Sequence, residues 1–128
     1  MKANNYPSLF LLLFSISVYA QQISPQIEFE TTIIDYGTIE NGSDGARVFK
    51  FKNTGSADLI ITNVKSTCGC TIPKKPDGPI APGESSEIIV RYDTKRTGPF
   101  RKTITVSTNQ ENNPIIALKL KGTVLPAP

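Results

Sequence analysis

The strongest constraint on the fold of this chain is a repeated two-residue alternation of apolar and polar side chains. Phe49 and Phe51 alternate with Lys50 and Lys52, for example. Comparable short segments occur at residues 27–33, 59–64, 88–92, 103–107 and 116–121. Such alternation is typical of half-buried β-strands, and no segment of helical length carries the apolar spacing i, i+3, i+4, i+7. The chain is therefore predicted to be all-β.

Turn sequences separate these segments. They are rich in the Gly, Pro, Asn and Asp residues that tight turns favour, and they lie at residues 41–45, 53–56, 76–79, 82–83 and 97–99. Short strands at this spacing predict an immunoglobulin-like antiparallel β-sandwich of about seven strands. A parallel sheet is not expected, because no segment could form the helical crossover that usually joins parallel strands.

The alternation also predicts which side chains form the core. Residues 27, 29, 31 and 33 would share one face of the first strand. Residues 59–64 have no clear inward face, which predicts a β-bulge before Val64. The side chains expected between the two sheets are Phe49, Phe51, Ile88, Val90, Ile104, Val106, Leu118 and Leu120.

Residues 1–20 have the pattern of a secretory signal peptide. Lys2 precedes an apolar run over residues 9–18, and cleavage after Ala20 would make Gln21 the new N-terminus. The run is about half the ~20 residues that a spanning helix needs, so no membrane span is expected after cleavage. The chain is predicted to be exported to the periplasm or the extracellular space. The expected organisation is a signal peptide 1–20, a short segment 21–26, a sandwich domain 27–125 and a tail 126–128.

The composition excludes several functional classes. The chain of 128 residues has no histidine, which removes Ser-His-Asp and Cys-His catalytic sites and histidine metal sites. Its net charge of +3 is too small and too evenly spread to indicate a nucleic-acid partner. The phosphate-binding patterns Gly-x-Gly-x-x-Gly and Gly-x-x-x-x-Gly-Lys do not occur in the sequence.

Charged residues on the predicted strand faces are further candidate sites. Two basic faces are expected, one formed by Arg47, Lys50 and Lys52 and another by Lys119 and Lys121. Without interleaved exposed aromatic residues, they are interpreted as surface charge that protects strand edges. A glycosidase would need two carboxyl groups about 5–9.5 Å apart in a cleft. No pattern places a cleft at the two candidate pairs, which are Glu28 with Glu30 and Glu84 with Glu87.

The order of these motifs resembles a known family. The motifs are residues 35–39 (DYGTI), 49–55 (FKFKNTG), 59–61 (LII), 66–71 (STCGCT), 80–85 (IAPGES) and 118–124 (LKLKGTV). Together they resemble the secreted bacterial family called domain of unknown function 1573, over roughly residues 29–124. That family is in turn similar to the ASH and major-sperm-protein type of immunoglobulin-like sandwich. The resemblance implies a fold and a location in the cell envelope, but no reaction.

Cys68 and Cys70 are the only cysteines in the chain. On an extended strand their side chains would share a face, with Cα atoms about 6.6 Å apart. That distance is close to the upper limit for a disulfide, about 6.8 Å. Gly69 is expected to relax the backbone with a positive φ. The resulting bridge would be strained and easily reduced, and an exported chain would favour it over two free thiols.

Three interpretations of this Cys-Gly-Cys turn remain open. It is a structural turn, a site of thiol–disulfide exchange, or a site for a soft metal such as Cu(I) held by two thiolates. Three lysines would support a thiolate: Lys65 before the turn, and Lys74 and Lys75 in the proline-flanked loop that follows. Zinc is disfavoured because it prefers four ligands.

The function predicted from the sequence is that of a non-catalytic exported module, without a cofactor and with no metal ligands assigned. It would bind an unknown protein or another envelope component, or form part of the envelope structure. The alternative is a redox or Cu(I)-handling protein that acts through Cys68 and Cys70. The oligomeric state is left open.

Overall fold

A computed structural model describes residues 23–128, which form eight strands in two four-stranded sheets. The predicted signal peptide lies outside the described residues. The strands are β1 (Ile27–Phe29), β2 (Ile33–Ile39), β3 (Ala46–Asn53), β4 (Ile61–Ser66), β5 (Thr71–Lys74), β6 (Ser85–Tyr92), β7 (Gly98–Thr108) and β8 (Ile115–Val124).

The two sheets face each other as a sandwich. One has the strand order β1-β3-β6-β5 and is here called sheet A; the other has the order β2-β8-β7-β4 and is called sheet B. This arrangement confirms the all-β, immunoglobulin-like sandwich. Within residues 23–128, no helix is long and apolar enough to cross a membrane.

The predicted core is confirmed. All eight side chains expected between the sheets are at most 1% exposed. The β-bulge before Val64 is also present, because the pairing of β4 with β7 shifts register between Ile61 and Asn63. Further buried aromatic side chains, Tyr36, Tyr92 and Phe100, fill one end of the sandwich.

The first predicted strand is in fact two strands in different sheets, so the prediction of one shared face was wrong. β1 ends at Phe29 and pairs with β3, whereas β2 begins at Ile33 and pairs with β8. Between them, the Thr31 hydroxyl donates a hydrogen bond to the Ile33 carbonyl at 2.8 Å and accepts one from the Ile33 N–H at 3.3 Å. Because the chain changes sheets here, Ile33 points away from the core and is 52% exposed.

β2 and β8 form a parallel pair, contrary to the expectation of purely antiparallel sheets. Ile33 lies opposite Lys119, and Ile39 lies opposite Val124. Parallel strands require a long connection. β2 lies near the start of the domain sequence and β8 near its end. The strands between them in sequence form the connection, so no helical crossover is needed.

Tyr36 organises the aromatic end of the sandwich. Its hydroxyl donates a hydrogen bond to the Gly45 carbonyl at 2.8 Å. Its ring packs edge-on against that of Phe100, with the ring centroids 5.3 Å apart. Burial raises the pKa of Tyr36 to about 12, although the charge of Arg47 acts in the opposite direction. The Arg47 guanidinium lies over this ring, 4.2 Å from its centroid. Arg47 therefore does not share a face with Lys50, which corrects the first predicted basic face.

Asn53 is a fully buried polar residue at the end of β3. Its side-chain oxygen accepts hydrogen bonds from the backbone N–H groups of Gln26 and Gly55 at 3.3 and 2.9 Å. Its side-chain nitrogen donates to the carbonyls of Ala57 and Ile80 at 2.8 and 2.9 Å. One amide thus joins the N-terminal segment, the turn after β3 and the loop before β6.

Gly122 is required for the close approach of β8 to the aromatic end. A Cβ atom there would lie 2.7 Å from Tyr36 Cβ and 2.9 Å from Phe100 Cζ. We expect Gly122→Ala to lower the free energy of unfolding by about 1–3 kcal/mol, because overpacking forces neighbours to move. Chemical denaturation measures the change. Gly69→Ala is the control, because a Cβ at Gly69 meets nothing within 4 Å, and equal losses in both variants would contradict the steric explanation.

Candidate functional site

The Cys-Gly-Cys turn joins the two sheets at one side of the sandwich. It follows β4, an edge strand of sheet B, and precedes β5, an edge strand of sheet A. Residues 67–70 therefore span the gap between the sheets. The end of β4 fixes the start of this turn, because the Thr67 N–H donates to the Thr103 carbonyl of β7 at 3.2 Å.

A disulfide joins Cys68 and Cys70. Their Cα atoms are 5.3 Å apart, closer than on an extended strand because the backbone bends here. The Thr71 N–H donates to the Cys68 carbonyl at 3.3 Å and closes the turn. Gly69 does not have a positive φ. The expectation of a left-handed glycine was wrong because the turn closes with ordinary backbone angles.

Local hydrogen bonds hold both cysteines in place. The Ser66 hydroxyl donates to the Cys68 carbonyl at 3.0 Å and accepts from the Cys68 N–H at 3.3 Å. The Cys70 N–H points to the Cys68 sulfur at 3.1 Å. The Cys70 carbonyl accepts from the Asp93 N–H at 2.8 Å, which fixes the turn to the end of β6.

The two cysteines differ in exposure. Cys70 is 6% exposed and belongs to the hydrophobic core, whereas Cys68 is half-buried and packs against that core. A reagent in solution would therefore meet Cys68 first. The sequence identified the pair, but its periodicity could not show this asymmetry.

The basic residues after the turn lie along β5 and beyond it. Lys74 is the last residue of β5, and Lys75 follows it; both are exposed. An extended strand separates the Cα atoms of Cys70 and Lys74 by about 13 Å. The fold thus places the disulfide at one end of β5 and these two ammonium groups at the other.

Two of the candidate carboxylates, Glu28 and Glu87, lie on the exposed face of sheet A, whereas Glu84 lies just before β6. Glu28 is opposite Lys52 across β1 and β3, and Glu87 is opposite Lys50 across β3 and β6. Glu84 accepts a hydrogen bond from the Ala81 N–H at 3.3 Å. Within the described part of the chain, no three His, Cys, Asp or Glu side chains are grouped so that they could hold a metal ion.

The two sheets, their strand order and the turn between their edges define a small immunoglobulin-like β-sandwich. Residues 27–124 match the family model described as "Protein of unknown function (DUF1573)". Because the match covers most of the chain, the protein belongs to this family. None of the curated proteins matches the chain.

Solved structures share this fold at low sequence identity. A protein of unknown function from Porphyromonas gingivalis W83 has a TM-score of 0.71 at 17% identity, over 85% of this chain and 51% of that chain. PapD-like domain 7 of human CEP192, an ASH domain, has a TM-score of 0.66 at 14% identity, over 82% and 89%. The E. coli chaperone DraB has a TM-score of 0.52 at 13% identity, over 80% and 56%. The chain spans about half the length of the P. gingivalis protein, and these likenesses show the fold alone.

Removing the disulfide is expected to have a modest effect on stability. The chain-entropy relation for a loop of three residues gives about 1–2 kcal/mol, because the stabilisation grows with loop length. We expect Cys68→Ser/Cys70→Ser to lower the free energy of unfolding by this amount in urea denaturation. The reduced wild-type protein is the control and should lose a similar amount. A double variant that fails to fold would show that the pair is an essential part of the core.

Proposed function

We propose that this protein is a non-catalytic, exported binding module of the bacterial cell envelope, in which the Cys68–Cys70 turn is structural. The burial of Cys70 in the core, with its carbonyl bonded to Asp93, carries the proposal. A sulfur built into the packing between two sheets stabilises their edge. A sulfur buried in this way is poorly placed to undergo repeated thiol–disulfide exchange with a substrate.

The strand edges support a module that binds through its faces. On β5, the backbone groups of alternate residues face β6. Because the Cys70 carbonyl accepts a hydrogen bond from the Asp93 N–H, the backbone groups of residues 71 and 73 point away from β6, toward the free edge of the sheet. Pro73 has no N–H, and the Thr71 N–H is bonded to Cys68. On β2, the Thr31 hydroxyl occupies both backbone groups of Ile33. The edges of β5 and β2 therefore resist strand addition, which favours binding through the outer sheet faces.

Export is the part of the proposal that the N-terminal sequence supports. Cleavage after Ala20 would release a mature protein that begins at Gln21. We expect intact-mass measurement of the protein from a bacterial envelope fraction to give the mass of residues 21–128. Retention of the apolar run in that material would instead indicate a membrane-anchored protein.

The binding role and the thiol role are separated by a turnover assay. We expect insulin disulfides to be reduced no faster with the wild-type protein than with the Cys68→Ser/Cys70→Ser variant. We also expect the reduced protein not to compete with a chelator for Cu(I). Turnover or Cu(I) uptake that disappears in this variant would overturn the non-catalytic proposal.

Thiol–disulfide exchange is the second candidate, favoured by the partial exposure of Cys68 alone. An external thiolate would attack the Cys68 sulfur, break the disulfide and release Cys70 as a thiolate. A second external thiolate would then attack the external sulfur of the mixed disulfide and release Cys68. The two external thiols would be oxidised to a disulfide, and the two electrons would reduce the protein.

A further inference from the structure

The outer faces of the two sheets differ in charge. The outer face of sheet A carries four cations, Lys50, Lys52, Lys74 and Arg91. Three carboxylates, Glu28, Glu30 and Glu87, lie beside Lys50 and Lys52. The outer face of sheet B carries four cations and one carboxylate, namely Lys65, Arg101, Lys119, Lys121 and Asp35. Sheet B therefore has an excess of three positive charges, against an excess of one on sheet A.

The cations of sheet B lie close together. Arg101 is directly opposite Lys121 on the neighbouring strand, so their Cα atoms are about 5 Å apart. Lys119 and Lys121 point to the same side of β8, with Cα atoms about 6.6 Å apart. The Asp35 carboxylate lies 4.0 Å from the Lys121 ammonium group and compensates the charge of that residue. The mutual repulsion that remains is relieved when external negative charge approaches this face.

Exposed aliphatic side chains surround these cations. Ile33, opposite Lys119, is 52% exposed, and Ile115 at the start of β8 is 60% exposed. Leu125, which follows the end of β8, is 43% exposed. Basic residues are attracted to anionic lipids, and exposed apolar side chains can enter the interfacial layer of a bilayer.

The shape of the face favours a bilayer over a folded partner. The depression beside Arg101 and Lys121 is open to solvent, and the described aromatic side chains are all at least partly buried. Protein interfaces usually depend on aromatic anchors that fill pockets. A second copy of the chain would present the same positive charge. A bilayer is flat, and its lipids can move to supply phosphate groups wherever the cations lie.

We infer that the outer face of sheet B docks on the surface of an anionic phospholipid bilayer. Arg101, Lys119 and Lys121 contact headgroup phosphates, and Ile33 and Ile115 enter the interfacial layer. This inference rests on the proposed export to the envelope and names the binding partner of the module. The chain associates with the bilayer peripherally, and the interaction weakens as salt screens the charges.

Vesicle flotation tests the inference with the mature chain, residues 21–128. The vesicles contain either phosphatidylcholine alone or phosphatidylcholine with about one third phosphatidylglycerol. We expect binding to the anionic vesicles only, with a marked loss when NaCl is raised from low to high concentration. Lys119→Gln/Lys121→Gln should weaken the partition coefficient at least about tenfold, because each basic residue contributes to attraction at an anionic surface.

The matched control is Lys50→Gln/Lys52→Gln, which makes the same charge change at the same spacing on sheet A. It should alter binding less than about twofold, since neighbouring glutamates already compensate these lysines. Equal weakening by both variants, or no binding to anionic vesicles, would overturn the inference. Tighter binding to soluble polyglutamate than to vesicles would also overturn it and indicate an acidic protein partner. Thermal melts of each variant show that the fold is retained, and the thiol assay above tests the non-catalytic role separately.

Discussion

Replacing Phe51 with alanine is expected to lower the free energy of unfolding by about 3–5 kcal/mol, the usual range for a buried phenylalanine. Phe51 is 1% exposed, at the centre of the space between the sheets. Its ring packs against Phe29 with centroids 5.5 Å apart, which links β3 to the short edge strand β1. For a domain with a total stability of about 5 kcal/mol, the lower end of the usual range, the loss would exceed half of that stability. Urea denaturation followed by far-ultraviolet circular dichroism measures it.

The control for this variant is its neighbour on the same strand. Lys50 is exposed on the outer face of sheet A, so Lys50→Ala should change the free energy of unfolding by no more than about 0.5 kcal/mol. If Lys50→Ala were the more damaging change, β3 would be shifted by one residue, because such a shift exchanges the faces of every side chain.

Asn53→Ala is expected to lower the free energy of unfolding by about 3 kcal/mol or more. The variant removes all four side-chain hydrogen bonds of Asn53. The Ile80 carbonyl keeps its bond from the Leu59 N–H, but the other three backbone groups lose the partner that Asn53 supplies. A buried group without a partner costs about 1–3 kcal/mol, and the space left by the amide adds to this loss.

Asn63→Ala is the matched control, because Asn63 is exposed on β4 beside the bulge. This change should stay within about 0.5 kcal/mol. Equal stability of the two alanine variants would show that water replaces the Asn53 amide, and that the three segments are held together by their backbone alone. Limited proteolysis gives a second measurement, since the N-terminal segment before β1 should be cut faster in Asn53→Ala.

The strand interiors could be predicted from the sequence because their signal is local. Alternation places Phe49 and Phe51 on one side of β3 and Lys50 on the other, whatever the partner strand is. The bulge before Val64 was also visible, because a bulge interrupts the alternation itself. The Cys68–Cys70 pair stood out for a similar reason, since no other cysteines occur in the chain.

Other features depend on residues that are distant in sequence. The division of residues 27–33 into two strands follows from the pairing of β2 with β8, whose partner residues lie more than 80 positions away. The position of Arg47 over Tyr36 and the role of Asn53 likewise arise from contacts between separate segments. No local pattern marks Asn53 as different from an ordinary turn asparagine.

The sequence by itself determined the all-β class, the inward faces of β3, β6, β7 and β8 and the location of the cysteines, because side-chain alternation and turn residues act within a few positions. Only the tertiary structure decided which strands are neighbours. That choice buries Cys70 but leaves Cys68 half-exposed, and it places Arg101 of β7 beside Lys121 of β8. Strand order depends on how two complete sheets bury their apolar faces together, so charge on a sheet face is a property of the assembled sandwich.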